Sequence, residues 1–159
     1  MKEPVQYRIG SLLKASGETL SAAESCTGGQ ISHLITMVSG SSSYYLGSVT
    51  SYAIPVKEKV LGVSHETISD NGVVSSEVAT AMAEGVRNLT GSTYSVATTG
   101  LAEGGDERYP EGTVWMAVSG PNGTKTRIFQ CNHGRKGNIR RFATAALTFL
   151  ENYILQKDN

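Results

Sequence analysis

The feature that most constrains the fold of this 159-residue chain is the segment Leu20–Gln30, which reads L-S-A-A-E-S-C-T-G-G-Q. A short apolar run leads into Ser25, Cys26 and Thr27, two glycines follow, and apolar residues then recur at helical spacing. This pattern predicts a buried strand, a tight polar turn and the start of a helix. The unpaired backbone N–H groups at that helix start would suit an anion, or an oxyanion that develops on a carbonyl group.

Strand-like and helix-like segments alternate through the first two thirds of the chain, and a hairpin around 120–123 follows them. This order predicts a three-layer α/β/α sandwich with a mixed, mostly parallel sheet, and the length fits a single domain over residues 1–159. The predicted helices are Val5–Ala15, Thr27–Val38, Pro55–Leu61, a further turn at His65–Asp70, Ser75–Leu89 and Asn138–Leu155. The predicted strands are Thr19–Glu24, Tyr44–Tyr52, Tyr94–Thr98, Gly112–Val118 and Thr124–Phe129.

The composition argues against several classes of protein. Lys plus Arg number 14 and Asp plus Glu number 14, so the formal net charge is zero. The chain therefore lacks the excess of positive charge that is typical of proteins that bind nucleic acid or an anionic membrane. With 39% hydrophobic and 18% charged residues the chain is too apolar to be disordered, and no apolar run approaches the ~20 residues of a membrane span. Residues 1–10 lack the apolar core of a signal peptide, and the two cysteines form no metal motif, so we expect a cytoplasmic, reduced protein.

Ser25 is the first candidate nucleophile, because it follows the first predicted strand. In an α/β sandwich the residues after parallel strands gather at one edge of the sheet, and Tyr52 and Lys57 follow the second strand. A desolvated lysine has a lowered pKa and can act as a base toward serine, while a tyrosine can relay or donate a proton. The residues alone leave plainer alternatives open, namely a helix-capping serine, a solvated helix lysine like Lys59, and a half-buried strand tyrosine.

Cys26 is the rival nucleophile in the same turn. A helix N-terminus lowers the pKa of a thiol, but a cysteine enzyme normally also needs a histidine base. The three histidines, His33, His65 and His133, are scattered along the chain. A small buried residue that packs behind the turn is therefore the favoured interpretation of Cys26.

A second glycine-rich segment, Thr98–Asp106, follows another predicted strand and could hold a phosphate with its backbone N–H groups. Arg135 belongs to a basic group near the start of the last predicted helix, and it could meet a substrate phosphate or a neighbouring subunit. A solvated basic surface is the default interpretation of that group. The acidic residues Asp106, Glu107 and Glu111 lack metal-ligand spacing, so no metal site is predicted.

Taken together, these segments resemble the CinA C-terminal domain family, in the family's order and spacing over nearly the whole chain. The motifs that carry the resemblance are A-E-S-C-T-G-G at 23–29, G-S-S-S-Y-Y at 40–45, the pair Tyr52 and Lys57, L-G-V at 61–63, G-V-V-S at 72–75, T-T-G-L-A at 98–102 and P-E-G-T-V-W at 110–115. The combination is far more specific than any one of its motifs. It also implies an α/β/α fold.

The family includes nicotinamide-nucleotide amidohydrolases. The resemblance therefore implies hydrolysis of the carboxamide of nicotinamide mononucleotide to nicotinate mononucleotide and ammonia, a step of pyridine nucleotide salvage. Ser25 would be the nucleophile, Lys57 and Tyr52 would be its partners, and neither a metal nor another cofactor would be needed.

The resemblance also implies which residues bind the substrate. Backbone amides would hold the oxyanion at Thr27, Gly28 and Gly29. The ribose-phosphate would lie against a second group, which consists of Thr99, Gly100, Gly104, Gly105 and Arg135. We expect a homo-oligomer with a small-molecule nucleotide as its ligand, and neither nucleic acid nor a membrane as a partner.

The sequence departs from the family pattern at four points, one of which is the strand before the tyrosine, where Ser48, Thr50 and Ser51 occupy the stretch that commonly reads G-x-V-T-Y. The usual A-G-P-x-G-G loop is shorter here and contains Glu103, the Asn that usually follows the tyrosine is Ile54, and the usual G-D-R reads H-G-R at 133–135. A carboxylate at Glu103 would repel a substrate phosphate if it faced the pocket. Two alternatives follow: a catalytically weak or inactive relative that binds a nucleotide or acts as a scaffold, and an amidase for a smaller or differently charged amide.

Overall fold

The computed structural model describes residues 1–156, and its elements follow the predicted alternation. A short 3-10 turn, Ser41–Ser43, precedes the second strand. The helices are α1 (Val5–Ser16), α2 (Gln30–Thr36), α3 (Ile54–Lys59), α4 (His65–Asn71), α5 (Ser76–Thr90) and α6 (Gly134–Ile154). The strands are β1 (Leu20–Glu24), β2 (Tyr45–Thr50), β3 (Tyr94–Leu101), β4 (Thr113–Gly120) and β5 (Gly123–Gln130).

The strands form a five-stranded sheet in the order β2-β1-β3-β4-β5. Strands β2, β1 and β3 are parallel neighbours, whereas β4 runs antiparallel to both β3 and β5, so four of the five strands share one direction. The predicted mixed, mostly parallel sheet is therefore confirmed. The carboxyl ends of β1, β2 and β3 lie at one edge of this sheet, where α/β folds bind ligands.

Helices cover both faces of the sheet, which confirms the three-layer sandwich. On one face α1, α2 and α6 bury side chains that include Ile9, Ile31, Phe142 and Leu147. On the other face α5 buries side chains that include Val78, Met82 and Val86. Alternate residues of a strand face opposite sides of a sheet, so β1 contributes Leu20 and Ala22 to the first core and Ala23 to the second.

Two boundaries near the strand ends differ from the prediction. Helix α2 begins at Gln30 rather than at Thr27, because Gly28 and Gly29 have positive φ angles of 58° and 105° and form a turn. Strand β3 continues to Leu101, so the first part of the predicted glycine-rich loop is a strand. Gly100 is needed there, because a Cβ atom would lie 2.5 Å from the carbonyl oxygen of Thr113 on β4.

Helix α6 begins at Gly134 rather than at Asn138, which places Arg135 in its first turn. It is 21 residues long and carries several arginines on its surface. Neither α6 nor any other helix within residues 1–156 is both long enough and apolar enough to cross a membrane.

Candidate active site

Three strand ends meet at a cavity of about 340 Å³. Ser25 follows β1, Lys57 lies on α3 just after β2, and β3 brings Thr99 and Gly100 to the same edge. The parallel pairing of these strands brings residues together that are far apart in the chain. The cavity is lined by Ser25, Cys26, Tyr52, Ile54, Lys57, Val73, Val74, Thr99, Gly100, Leu101, Ala102, Glu103 and Arg135.

Lys57 is buried, with 1% of its surface exposed, and its Nζ atom lies 2.8 Å from Ser25 Oγ. The same Nζ atom donates to the carbonyl oxygens of Ser51 at 2.6 Å and Tyr52 at 3.3 Å. Burial lowers the pKa of Lys57 from its ordinary value of 10.5, because the charged form loses its hydration. The side chain that could have been a solvated helix lysine is therefore a desolvated amine beside a serine hydroxyl.

All three of these oxygens can accept from a Lys57 ammonium, and the lowered pKa favours the neutral form. A neutral amine has two N–H groups, which the carbonyl oxygens of Ser51 and Tyr52 can accept, and one lone pair that remains for the Ser25 hydroxyl. A serine that donates its proton to such a lone pair is an activated nucleophile. The pair can therefore carry out acyl transfer.

Cys26 lines the same cavity, but its thiol is buried. Burial raises the pKa of Cys26 to about 12, so the thiol stays protonated and is not an effective nucleophile near neutral pH. Among residues 1–156 no histidine lines the cavity, so Cys26 has no imidazole base there. The described residues also contain no group of three His, Cys, Asp or Glu side chains that could hold a metal ion.

Glu24 holds the turn that carries Ser25, a role that the sequence interpretation missed. Its carboxylate is fully buried and accepts hydrogen bonds from the Thr27 hydroxyl at 2.6 Å and from the amides of Gly29, Ile31 and Ser32 at 3.2, 2.9 and 3.0 Å. The start of α2 is therefore occupied by a side chain of the protein, and it is not open to an external anion. No local sequence signal indicated this role, because it depends on where the glycine turn folds back.

This capping changes the expected position of the oxyanion donors. Thr27, Gly28 and Gly29 lie outside the cavity lining, and the Gly28 amide donates to the Ser25 carbonyl oxygen at 3.0 Å. The Gly29 amide donates to Glu24. Of the three predicted amide donors, only that of Thr27 has no acceptor within the described part of the chain.

Tyr52 contacts Lys57 through its backbone carbonyl oxygen rather than through its hydroxyl. The hydroxyl accepts a hydrogen bond from Arg135 Nη2 at 3.1 Å, and 62% of the Tyr52 residue is exposed. A second nitrogen of Arg135 lies 3.5 Å from the Glu103 carboxylate. Tyr52, Arg135 and Glu103 thus form a polar cluster in the cavity lining.

A family model for the CinA C-terminal domain matches residues 2–154. The chain belongs to the CinA C-terminal domain family. It is 47% identical over 141 residues to a CinA-like protein of Salinibacter ruber, a match that covers 87% of this chain and 34% of that protein. A CinA-like protein of Geotalea daltonii is 41% identical over 158 residues, which are 98% of this chain and 38% of the relative. The chain thus spans about a third of the length of these curated relatives.

Solved structures of CinA proteins have the same fold. A competence/damage-inducible protein of Agrobacterium tumefaciens is 32% identical, with a TM-score of 0.88 over 92% of each chain. The competence damage-inducible protein A of Klebsiella pneumoniae is 27% identical, with a TM-score of 0.91 over 95% of each chain. The resemblance that the motifs indicated is therefore confirmed.

In this CinA domain only part of the second glycine-rich segment lines the cavity. Thr99 and Gly100 line it, and the Thr99 hydroxyl donates to the Val73 carbonyl oxygen at 2.8 Å. Gly104 and Gly105 lie outside the lining, and the Gly104 amide donates to the Glu111 carboxylate at 2.8 Å. Val73 and Glu111 thus hold this segment from outside it, and Glu103 is its charged side chain in the cavity lining.

Asn138 joins the two sides of the CinA cavity, although the sequence suggested only that it begins a helix. It is fully buried, and its Nδ2 atom donates to the Ala102 carbonyl oxygen at 2.9 Å. Its Oδ1 atom accepts from the His133 amide at 2.9 Å. Asn138 thereby fixes the start of α6, which carries Arg135, against the strand end that carries Glu103. A lone asparagine in an exposed-looking basic stretch gives little signal of this role.

Proposed function

We propose that this CinA domain hydrolyses the carboxamide of nicotinamide mononucleotide, giving nicotinate mononucleotide and ammonia. The observation that carries the proposal is the 2.8 Å separation between Ser25 Oγ and the buried Lys57 Nζ. A serine and a desolvated lysine at hydrogen-bond distance form a nucleophile and its base. The choice of substrate rests on the family, which includes nicotinamide-nucleotide amidohydrolases.

In the first half of the reaction Ser25 attacks the carboxamide carbon while Lys57 takes the hydroxyl proton. A bond forms between Oγ and the carbon, and the carbonyl oxygen becomes an oxyanion. The new ammonium of Lys57, which lies in the cavity lining, is the donor proposed to stabilise that charge. Lys57 then returns its proton to the departing nitrogen, the carbon–nitrogen bond breaks, and ammonia leaves.

In the second half water hydrolyses the acyl-enzyme. Lys57, again neutral, takes a proton from the water as its oxygen attacks the ester carbon. The bond to Ser25 Oγ breaks, the serine recovers its proton from Lys57, and the carboxylic acid is released. The same residue thus acts as base and as acid in both halves.

The rest of the cavity suits a small nucleotide. A volume of about 340 Å³ lies within the range of small-molecule sites. Arg135 supplies a guanidinium for the substrate phosphate, in a form that matches phosphate geometry. Tyr52, which contacts Arg135, orients that guanidinium in this proposal.

The test is ammonia release from nicotinamide mononucleotide by the wild type and by Ser25→Ala, with nicotinate mononucleotide quantified by chromatography. We expect the wild type to turn over and the variant to lose at least about 10³-fold, as serine hydrolases do without their nucleophile. Ser42→Ala, at an exposed serine outside the cavity lining, is the matched control and should be fully active. Equal activity in the wild type and Ser25→Ala would refute the nucleophile assignment.

One observation favours a second candidate, a CinA relative that binds a nucleotide without turnover. The Glu103 carboxylate lies 3.5 Å from Arg135, so it competes for the guanidinium that a phosphate would need. The same assay decides between the two candidates. A folded wild type that binds the nucleotide but releases no ammonia would favour the second.

A further inference from the structure

The charges in the cavity lining are few and are placed at different depths. Three lining residues carry basic or acidic side chains, namely Lys57, Glu103 and Arg135. Lys57 is buried, whereas the side chains of Glu103 and Arg135 are 63% and 48% exposed. A bound substrate therefore contacts Ser25 and Lys57 at the buried end of the cavity, and one charged side chain of each sign at its exposed mouth.

Glu103 is only loosely engaged by Arg135. Their closest nitrogen–oxygen distance is 3.5 Å, which is longer than the 2.7–2.9 Å of a close charge-assisted hydrogen bond. Arg135 meanwhile donates from its other terminal nitrogen to Tyr52 at 3.1 Å. The Glu103 carboxylate can therefore pair with a second cation while Arg135 binds an anion.

The remaining lining residues do not offer a competing charge. Their side chains are mostly apolar, and they include Ile54, Val73, Val74, Leu101 and Ala102. Such walls suit the faces of a flat ring, and they leave any charge on that ring without a polar partner. Among the residues that line the cavity, Glu103 is the carboxylate that could supply one.

We infer that Glu103 is a specificity-determining residue, which selects amides whose ring carries a positive charge. It pairs with the cationic ring while Arg135 pairs with the phosphate, so the cavity is matched to a zwitterionic substrate. This inference rests on the proposed amide hydrolysis at the same site. The inference also explains why a carboxylate lies in this cavity. For a substrate whose only charge was the phosphate, Glu103 would be purely repulsive.

The experiment compares two amides that share the ribose-phosphate and differ in ring charge. One is nicotinamide mononucleotide, with a pyridinium ring, and the other is its dihydropyridine form, with a neutral ring. The ratio of kcat/KM for the two amides is measured in the wild type and in Glu103→Gln, so differences in intrinsic reactivity cancel. Glu107→Gln is the matched control, since it removes the same charge from an exposed position in the same loop outside the cavity lining.

We expect Glu103→Gln to lower the preference for the pyridinium amide by about twofold to fivefold, the effect of one partly exposed charge pair. Glu107→Gln should leave the ratio unchanged. An equal gain for both amides in Glu103→Gln would mean that Glu103 acts only by repelling phosphate, and it would overturn the inference. An unchanged ratio would overturn it as well.

Failure of the proposed reaction is recognised separately. If neither amide is hydrolysed, the same two compounds are titrated calorimetrically into Ser25→Ala and into Ser25→Ala combined with Glu103→Gln. A pyridinium preference that is present in the first protein and reduced in the second supports the role of Glu103 although the reaction is wrong. Equal affinities for the two compounds, or no binding of either, would overturn the role of Glu103 too.

Discussion

Lys57 Nζ lies 2.8 Å from Ser25 Oγ, although 32 residues separate the two in the chain. Parallel pairing brings the two residues together, because Glu24 at the end of β1 is the register partner of Thr50 at the end of β2. The Ser51 amide continues this pairing by donating to the Glu24 carbonyl oxygen at 2.7 Å. The backbone thus positions both side chains, so a change to either one should leave the other in place.

Replacement of the base tests this pair directly. We expect Lys57→Met to lower kcat for amide hydrolysis by about 10²- to 10⁴-fold, the range for a lost general acid–base group. The matched control is Lys59→Met, which changes an exposed lysine on the same helix and should keep full activity. Ammonia release and circular dichroism of both variants provide the measurement. A folded Lys57→Met protein with wild-type kcat would rule out Lys57 as the base.

The lowered pKa of Lys57 also predicts how stability depends on pH. Between the folded pKa and the ordinary value of 10.5, the unfolded chain binds a proton at Lys57 that the folded protein does not. The free energy of unfolding therefore rises with pH through that window, and below it the folded state carries the full cost of a buried charge. Urea unfolding measures this effect in the wild type and in Lys57→Met. As the pH rises toward 10.5, the free energy of unfolding of the wild type should increase relative to that of Lys57→Met. A difference that stays constant would contradict a lowered pKa.

The fold was predictable because its signals are local. Apolar runs, glycine turns and helical spacing along residues 20–38 specify a strand, a turn and a helix, and the order of such units limits the topology. The topology in turn predicts that Ser25 and Lys57 share a sheet edge. The burial of individual side chains could not be predicted in the same way. Lys57 and Lys59 are equivalent in the sequence pattern of a short helix, and packing against the sheet buries the first and leaves the second exposed.

The orientation of polar side chains was the part that the sequence could not predict. Nothing local to Glu24 indicates that its carboxylate fills the start of α2, because that depends on where the glycine turn folds back. The Tyr52 hydroxyl meets Arg135, which lies 83 residues further along the chain. Such contacts depend on how distant elements pack, so the sequence predicted proton relay at Tyr52 and not the contact with Arg135 that would serve substrate binding.

Tyr52→Phe separates these two roles. Because the hydroxyl contacts Arg135 and the contact with Lys57 comes from the backbone, we expect the variant to raise KM for a phosphate-bearing amide by several fold. Its kcat should fall far less than that of Lys57→Met, since the phenylalanine keeps the carbonyl oxygen that Lys57 uses. Steady-state kinetics of the two variants side by side give the answer. A kcat as low as that of Lys57→Met would place the Tyr52 hydroxyl in the proton transfer instead.

Glu24 should govern the stability of the turn that carries the nucleophile. Glu24→Ala leaves the Thr27 hydroxyl and the amides of Gly29, Ile31 and Ser32 without their buried acceptor. An unpaired buried donor costs about 1–3 kcal/mol, and the Ile31 amide is the fully buried one of these three amides, so we expect the free energy of unfolding to fall by at least about 2 kcal/mol.

Urea unfolding measures this loss, and two further variants bracket it. Glu24→Gln keeps the shape and one acceptor oxygen, so its loss should be smaller than that of Glu24→Ala. Glu107→Ala removes an exposed carboxylate and should change the free energy of unfolding by less than about 0.5 kcal/mol. If Glu24→Ala unfolded at the same urea concentration as Glu107→Ala, the start of α2 would not depend on this carboxylate, and Ser25 would have to be positioned by the backbone of the glycine turn alone.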